Sequence, residues 1–348
     1  MIIKRIIFQL FERPIRLRVA ILSLVCSLLI GALGVTMTYT FIGMGHIIDD
    51  TSRDNIDKTQ NTIIDQISSY FGPVLCITQI GSWVGLQVEG NPLYNESLHS
   101  FLVGALFFIP QVTYVYMADI HGNFFGISSL SSKRVMQSDP EKSLPDKAKL
   151  VIEVSSAEKK YRTFIYVDAQ GHPLLKENVP FKKNVIYDPR VRPWFTNAKR
   201  HMKAIWSEPY PNWDDNEIAL TATTPLLNSQ QEFIGVIGAD IPLSKLSELL
   251  SKHKASRRGI NFLMTTSGNL LGYPDVNKVY QGKGVGSIKA IGNEPVVSAY
   301  NRYERRHEKQ FTFPYKAVDY LAYFTPFPKT IHDHWILGMV APSDDFMG

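Results

Sequence analysis

The sequence is poor in cysteine: of 348 residues only Cys26 and Cys76 are cysteines. That excludes a small disulfide-stapled secreted scaffold and a cysteine-rich metal domain. Signatures of hydrolytic and phosphoryl-transfer chemistry are also missing. There is no HExxH, no GxSxG, and no kinase or cyclase motif. Gly282-Lys283-Gly284-Val285-Gly286 lacks the Lys-Ser/Thr ending of a phosphate loop and reads as a turn. Charge is absent from one long stretch, Val19 to Gly45. What is present, 45% hydrophobic and 11% aromatic residues, excludes a disordered or low-complexity chain.

The net charge of +5 sits mostly at one end. Residues 1–18 hold Lys4, Arg5, Arg13, Arg16 and Arg18 against Glu12, which leaves the remainder nearly neutral. A nucleic-acid binder needs clustered cations on a folded face; here the cluster precedes an apolar run long enough to cross a bilayer. The reading is a cytoplasmic basic segment (1–18) and an uncleaved transmembrane helix (19–45). By the positive-inside rule, residues 46–348 lie outside. With its two cysteines so placed, the outer region relies on its core alone, as in a bacterial inner-membrane protein facing the periplasm.

After the span, Ile56, Ile63 and Tyr70 repeat every seven residues with Gln60 and Ile67 between them, and no Pro or Gly interrupts 46–71. This spacing predicts a long amphipathic juxtamembrane helix. Strand–turn–strand patterns follow at 112–127 and 163–175, with apolar strands at 232–241 and 334–341. A helix is expected over 244–253. The chain also repeats itself. ADIHGNFFGI (118–127) matches MTTSGNLLGY (264–273) at an offset of 146, and GADIP (238–242) matches GMVAP (338–342) at an offset of 100. Two landmarks in the same order indicate two related sheet modules. The fold class is therefore mixed α/β (α+β), with two antiparallel-sheet modules in tandem.

Chemistry concentrates between Tyr187 and Asp240. In an extended segment Arg190, Arg192 and Trp194 point the same way, and Pro193 biases Arg192 toward extended backbone. Arg192 beside Trp194 makes a planar cationic fork against a flat wall. Asp240 ends an apolar strand, where a carboxylate is costly unless paired. With Tyr187, Trp194 and Tyr210 as a box, this set is complementary to a zwitterion: Arg192 for a carboxylate, Asp240 for an ammonium. A second arrangement is open, in which Arg192 and Asp240 pair with each other in a satisfied core. His332 and His334, placed on one face of a strand, have no third ligand at useful spacing, so neither metal nor cofactor is assigned. Arg302, Arg305 and Arg306 with Glu304 and Glu308 read as a solvated run.

This stretch resembles the extracytoplasmic double Cache (tandem PAS-like) domain of bacterial chemoreceptors, sensor kinases and cyclases, in its amino-acid-binding type. That motif runs Tyr, four residues, Arg, one residue, Trp, Tyr, then a later Tyr and a later Asp. Tyr187, Arg192, Trp194, Tyr210 and Asp240 stand at matching positions, and Phe195 replaces the Tyr after Trp. The resemblance covers about 46–342. It implies a juxtamembrane helix (46–80), a distal ligand-binding module (81–250) and a proximal module (251–342). The proximal module has Val340 where the repeat places Asp240, so it is expected to transmit without binding. Trp213, Asp214 and Asp215 are implied at the pocket mouth.

The resemblance further implies an amino-acid or amine ligand, a homodimer through the juxtamembrane helix, and a second membrane segment beginning at 343–348. The catalytic output, kinase or cyclase, would then lie in a missing cytoplasmic part. Two other classes stand beside the sensor: a ligand-free structural or partner-binding module, and an anchored periplasmic enzyme, for which no nucleophile–base pair is evident.

Overall fold

The computed structural model describes residues 2–130, 144–156, 158–159, 161–181, 187–213, 217–254, 256–282, 284–327, 332 and 334–346. The chain divides into two compact units, Met1–Lys58 and Thr59–Phe346. Helix α1 is assigned over Ile2–Leu86. In the first unit its Ile21–Thr38 portion has a mean hydropathy of 2.2 and is wholly exposed, long and apolar enough to cross a membrane. The hydroxyls there donate back to the helix's own carbonyls: Ser27 to Leu24 at 2.9 Å, Thr36 to Ala32 at 2.9 Å and Thr38 to Gly34 at 2.8 Å. Hydroxyls satisfied in this way need no water.

In the second unit α1 turns one face inward. Ile63, Ile67, Phe71, Val74 and Thr78 recur at three- and four-residue intervals and are all buried. The helix does not stop near residue 71; it passes Gly72 and Pro73 and ends at Leu86. Tyr70 is half-buried and its neighbour Phe71 takes the buried place, while the side chains of Ile56 and Gln60 lie outside the described residues. Gly81 lets α1 lie close on the first sheet, since a Cβ there would meet Ile237 Cδ1 at 2.5 Å. The hydroxyls of Thr78 and Thr224 bond at 2.8 Å, and Ser82 donates to the Pro225 carbonyl at 2.6 Å.

Helix α2 (Glu96–Phe108), capped by Asn95, precedes the first sheet. That sheet contains β1 (Tyr114–Asp119), β2 (Phe124–Ser129), β3 (Leu150–Ser155), β4 (Tyr161–Val167) and β5 (Pro173–Pro180). After helix α3 (Pro193–His201) come β6 (Ile205–Trp206), β7 (Tyr210–Pro211), β8 (Ile218–Leu227) and β9 (Phe233–Pro242). Their order is β5-β4-β3-β2-β1-β9-β8-β6, with β7 also on β8, and all pairings are antiparallel. Strand alternation divides the faces. Val115, Met117, Phe125, Ile127 and Ile237 join the main core with α1 and α2, whereas Tyr116, Ala118, Phe124 and Val236 face a separate aromatic cluster.

Helix α4 (Leu243–Lys252) leads to β10 (Ile260–Thr265) and β11 (Leu270–Gly272). The short helix α5 (Val276–Val279) is followed by a hairpin of β12 (Tyr280–Gln281) and β13 (Gly284–Val285), so the glycine-rich stretch holds a hairpin bend at Gly282 (φ +62°) and a short strand, with Lys283 outside the described residues. Helix α6 (Glu294–Arg306) then precedes β14 (Gln310–Tyr315), β15 (Val318–Pro326) and β16 (Trp335–Pro342), and the second sheet runs β11-β10-β16-β15-β14. Arg302, read as part of a solvated run, lies over the Phe311 ring at 4.4 Å and pairs with Glu308. His332 and His334 do not share a strand: β16 begins at Trp335, and His332 stacks on that indole at 4.6 Å.

The two sheets carry the internal repeat in one register. Tyr114 pairs Asp240 and Tyr116 pairs Gly238; at the same offsets Ile260 pairs Val340 and Phe262 pairs Gly338. Both modules place a ring over the paired glycine, because a Cβ on Gly238 or Gly338 would strike Tyr116 or Phe262. The two sheets and α1 meet at three buried rings. Phe71 stands edge-on at 5.0 Å to both Trp206 and Trp335, which are 6.1 Å apart. Phe71→Ala is expected to open a cavity at that junction and cost about 3–5 kcal/mol, read as a lower midpoint in urea unfolding, with Phe71→Leu losing distinctly less.

Candidate functional site

The aromatic cluster on the outer face of the first sheet is built around β1, β9 and α3. Tyr116 leans across Gly238 and donates to Asp240 Oδ1 at 2.7 Å, and Thr221 of β8 donates to the same oxygen at 2.7 Å. Asp240 is 2% exposed. A carboxylate so far from water is stable only when hydrogen-bonded, and two hydroxyls are aimed at it here. Tyr210 extends the chain by bonding Thr221 at 2.6 Å and approaching the Tyr116 hydroxyl at 3.5 Å.

The walls follow from local chemistry. Asp188 caps a 3-10 turn, Pro189–Val191, and Arg190 folds back on it with Nε at 2.9 Å and Nη2 at 2.8 Å. Arg190 and Arg192 therefore do not point together, a correction to the extended-segment expectation. Arg192 keeps the extended backbone that Pro193 imposes (φ −77°, ψ 147°) and α3 starts immediately after it. This start buries Trp194 edge-on to Tyr116 at 4.8 Å and Phe195 against Phe233 at 5.7 Å. Tyr187 closes the box, edge-on to Phe124 and 5.4 Å from Trp213.

Arg192 occupies the rim. One Nη2–H donates to the Pro211 carbonyl at 2.7 Å, and the guanidinium lies over Tyr210 at 5.3 Å and Trp213 at 5.9 Å. It makes no ion pair with Asp240 or any other acid among the described residues, so the arrangement in which these two charges neutralise each other is not the one adopted. A guanidinium has five N–H donors, and this one bond, the single one it makes among the described residues, leaves it able to receive an anion. The structure brings together Tyr187, Arg192, Trp194, Phe195, Tyr210, Trp213 and Asp240; Asp214 and Asp215 lie outside the described residues.

Five participants escaped sequence reasoning. Tyr116 and Thr221 hold Asp240. Tyr114 leans the other way across Gly126 and donates to Glu153 Oε2 at 2.7 Å, and Glu153 pairs with Arg162 at 3.1 Å in a buried ion pair. Alternation within VTYVYMAD puts Tyr114 and Tyr116 on one face, a usable signal, but which strand they lie beside is a long-range fact.

A family model described as Cache domain matches residues 50–348. The chain is 35% identical over 106 residues to the methyl-accepting chemotaxis protein McpC of Bacillus subtilis, covering 30% of this chain and 15% of that protein. It is 24% identical over 158 residues to PscA of Pseudomonas syringae, a protein of the same kind, covering 45% and 23%. The matches thus span less than a quarter of these relatives' length. The ligand-binding domain of the Pseudomonas fluorescens chemoreceptor CtaA, solved in complex with L-alanine, has a TM-score of 0.52 at 19% identity over 84% of this chain and 97% of that one. At that identity the likeness is one of fold.

Burial, then the Asp240 carboxylate, pushes the Tyr116 and Tyr210 hydroxyls well above the usual phenol range. Burial raises Tyr187 as well, opposed in part by the Arg192 cation. Unfolded phenols release protons near pH 10 while these keep theirs, so above that pH the unfolded state binds fewer protons. Stability is expected to be intact below about pH 10 and to fall as pH rises through the folded values. Urea midpoints at pH 9 and 11 check this, and Tyr210→Phe should flatten the decline.

Proposed function

Since the chain belongs to the double Cache family, we propose that it is the extracytoplasmic sensing region of a bacterial transmembrane receptor that binds a free amino acid, with amines next in preference. Residues 19–45 are the membrane anchor, the basic residues 1–18 are cytoplasmic and the rest faces the periplasm. The first sheet with its helices (81–250) is the distal ligand-binding module and the second (251–342) the proximal one, with a homodimer formed along the juxtamembrane helix. The chain itself senses and does not catalyse.

One observation carries this reading: a half-buried guanidinium without an acidic partner among the described residues rims an aromatic box whose floor holds a buried carboxylate. Arg192 takes the ligand's carboxylate through paired N–H donors. Asp240, preset by Tyr116 and Thr221, takes the ammonium, which Trp194 and Tyr210 also attract through their ring faces. The apolar walls displace water, so both contacts strengthen as the pocket closes. Phe195 offers no hydroxyl where the family motif has one, leaving the charged pair to carry more of the recognition. Ligand affinity for the closed state over the open one is what drives the change. Asp240 is two residues from the end of β9, and α4 follows at once toward the second sheet. The second sheet carries Phe262, Ala322 and Val340 at the positions of Tyr116, Thr221 and Asp240, which supports a proximal module that transmits and does not take the same head group.

The test is calorimetric titration of the full chain in lipid nanodiscs with the common L-amino acids, short amines and dicarboxylates. At least one amino acid should bind, and Arg192→Ala and Asp240→Asn should each weaken it by about 2–3 kcal/mol while melting close to the parent. Binding by none of these compounds, or unchanged affinity in both variants, overturns the reading.

A further inference from the structure

A cleft of about 710 Å³ opens between the end of α2, the residues leading into β1, the end of β2, the start of β3 and the first turn of α4. None of its described lining residues belongs to the aromatic box. Leu106, Val112 and Leu150 form a buried apolar wall, with Phe107 exposed at the mouth. Lys149 and Lys245 reach the cleft from two sides, against a single acid among its described lining residues, Asp146. Lys149 makes no ion pair among the described residues, and Lys245 has only the solvent-exposed Glu248 at 3.3 Å, a pairing of little strength.

Thr113 supplies the second observation. It lines the cleft, is 4% exposed, and its hydroxyl has no hydrogen-bond partner among the described residues. Its backbone is fully used, since its N–H donates to the Asp240 carbonyl at 3.2 Å and its carbonyl accepts from Ser129 at 3.2 Å. A buried hydroxyl left unbonded costs about 1–3 kcal/mol, and proteins retain such groups where a water or a ligand satisfies them. Apolar walls with few convergent polar groups are the usual make-up of a small-molecule site.

We propose that this cleft is a second ligand site, separate from the box, for a small organic carboxylate with an apolar body. The body lies against Leu106, Phe107 and Leu144, Lys149 and Lys245 supply the countercharge, and the Thr113 hydroxyl donates to a ligand oxygen. The site touches both the backbone neighbour of Asp240 and the helix that follows it, so its occupant sits on the connection between the two sheets.

The probe is 4-phenylbutyrate, titrated into the full chain in nanodiscs with empty nanodiscs subtracted. It should bind about tenfold or more tightly than 4-phenylbutylamine or 4-phenylbutanol, and the exposed double change Lys149→Ala/Lys245→Ala should remove about that advantage. Thr113→Val should weaken binding several-fold without lowering the ligand-free melting temperature, because no hydrogen bond is lost in the empty protein. Arg192→Ala, in the box, should leave the affinity within about twofold. The proposal is overturned if the carboxylate does not bind, if the amine binds as well, or if the lysine double change has no effect. It is equally overturned if Arg192→Ala abolishes binding, which would seat the probe in the first site.

Discussion

The buried carboxylate of Asp240 is the constraint around which the first sheet is arranged. Ionised carboxyl groups leave water at a cost of several kcal/mol, recovered only where donors are already in place. The donors here come from two different strands, Tyr116 on β1 and Thr221 on β8, so the interaction exists only when β1, β9 and β8 pair in one register. Slipping either pairing by a residue would turn a donor to the opposite face. Gly238 belongs to the same requirement, because the Tyr116 ring lies where its side chain would be. One polar contact thus specifies the pairing of the three central strands as well as the floor of a site.

The second sheet shows what that frame becomes without the charge. Phe262 lies over Gly338 as Tyr116 lies over Gly238, but Ala322 and Val340 replace Thr221 and Asp240, and the rings of Phe262, Phe324, Tyr303 and Phe311 close the space with aromatic contacts. Deleting both partners of a buried polar contact and filling with apolar groups is close to neutral for stability. Two copies of one architecture can therefore divide labour, one retaining the costly polar set and the other packing as a solid core.

Much of this was legible in the amino-acid order because it is local. The two repeat offsets locate both β1–β2 and β10–β11 turns, and the apolar runs ending at Asp240 and Ala341 are central strands. Pro193 fixes the extended backbone of Arg192 and the start of α3. What could not be read depends on partners distant in the chain. Arg190 and Arg192 part because Asp188 caps a turn between two apparent strand residues. Tyr116 and Thr221 become ligands of Asp240 only through pairing across more than a hundred residues in one case. The extension of α1 past Gly72-Pro73 runs against local helix preference; buried contacts of Val74, Ile77 and Thr78 outweigh it.

The same long-range packing sets what a bound ligand can move. Thr221 is held twice by Ser207, through its carbonyl at 2.8 Å and its N–H at 3.1 Å, and the residue before Ser207 is Trp206, whose ring meets Phe71 of α1 and Trp335 of the second sheet. From the floor of the site to the junction of helix and both sheets there are thus two residues and one strand. Close-packed rings do not deform gradually; they hold one arrangement or shift to another. Under the proposed function, a ligand drawing Arg192 and α3 toward Asp240 would load β8 at Thr221, and the ring junction is where that load would reach elements outside the first sheet. In that proposal the second sheet would act through a rigid core, which its aromatic filling provides.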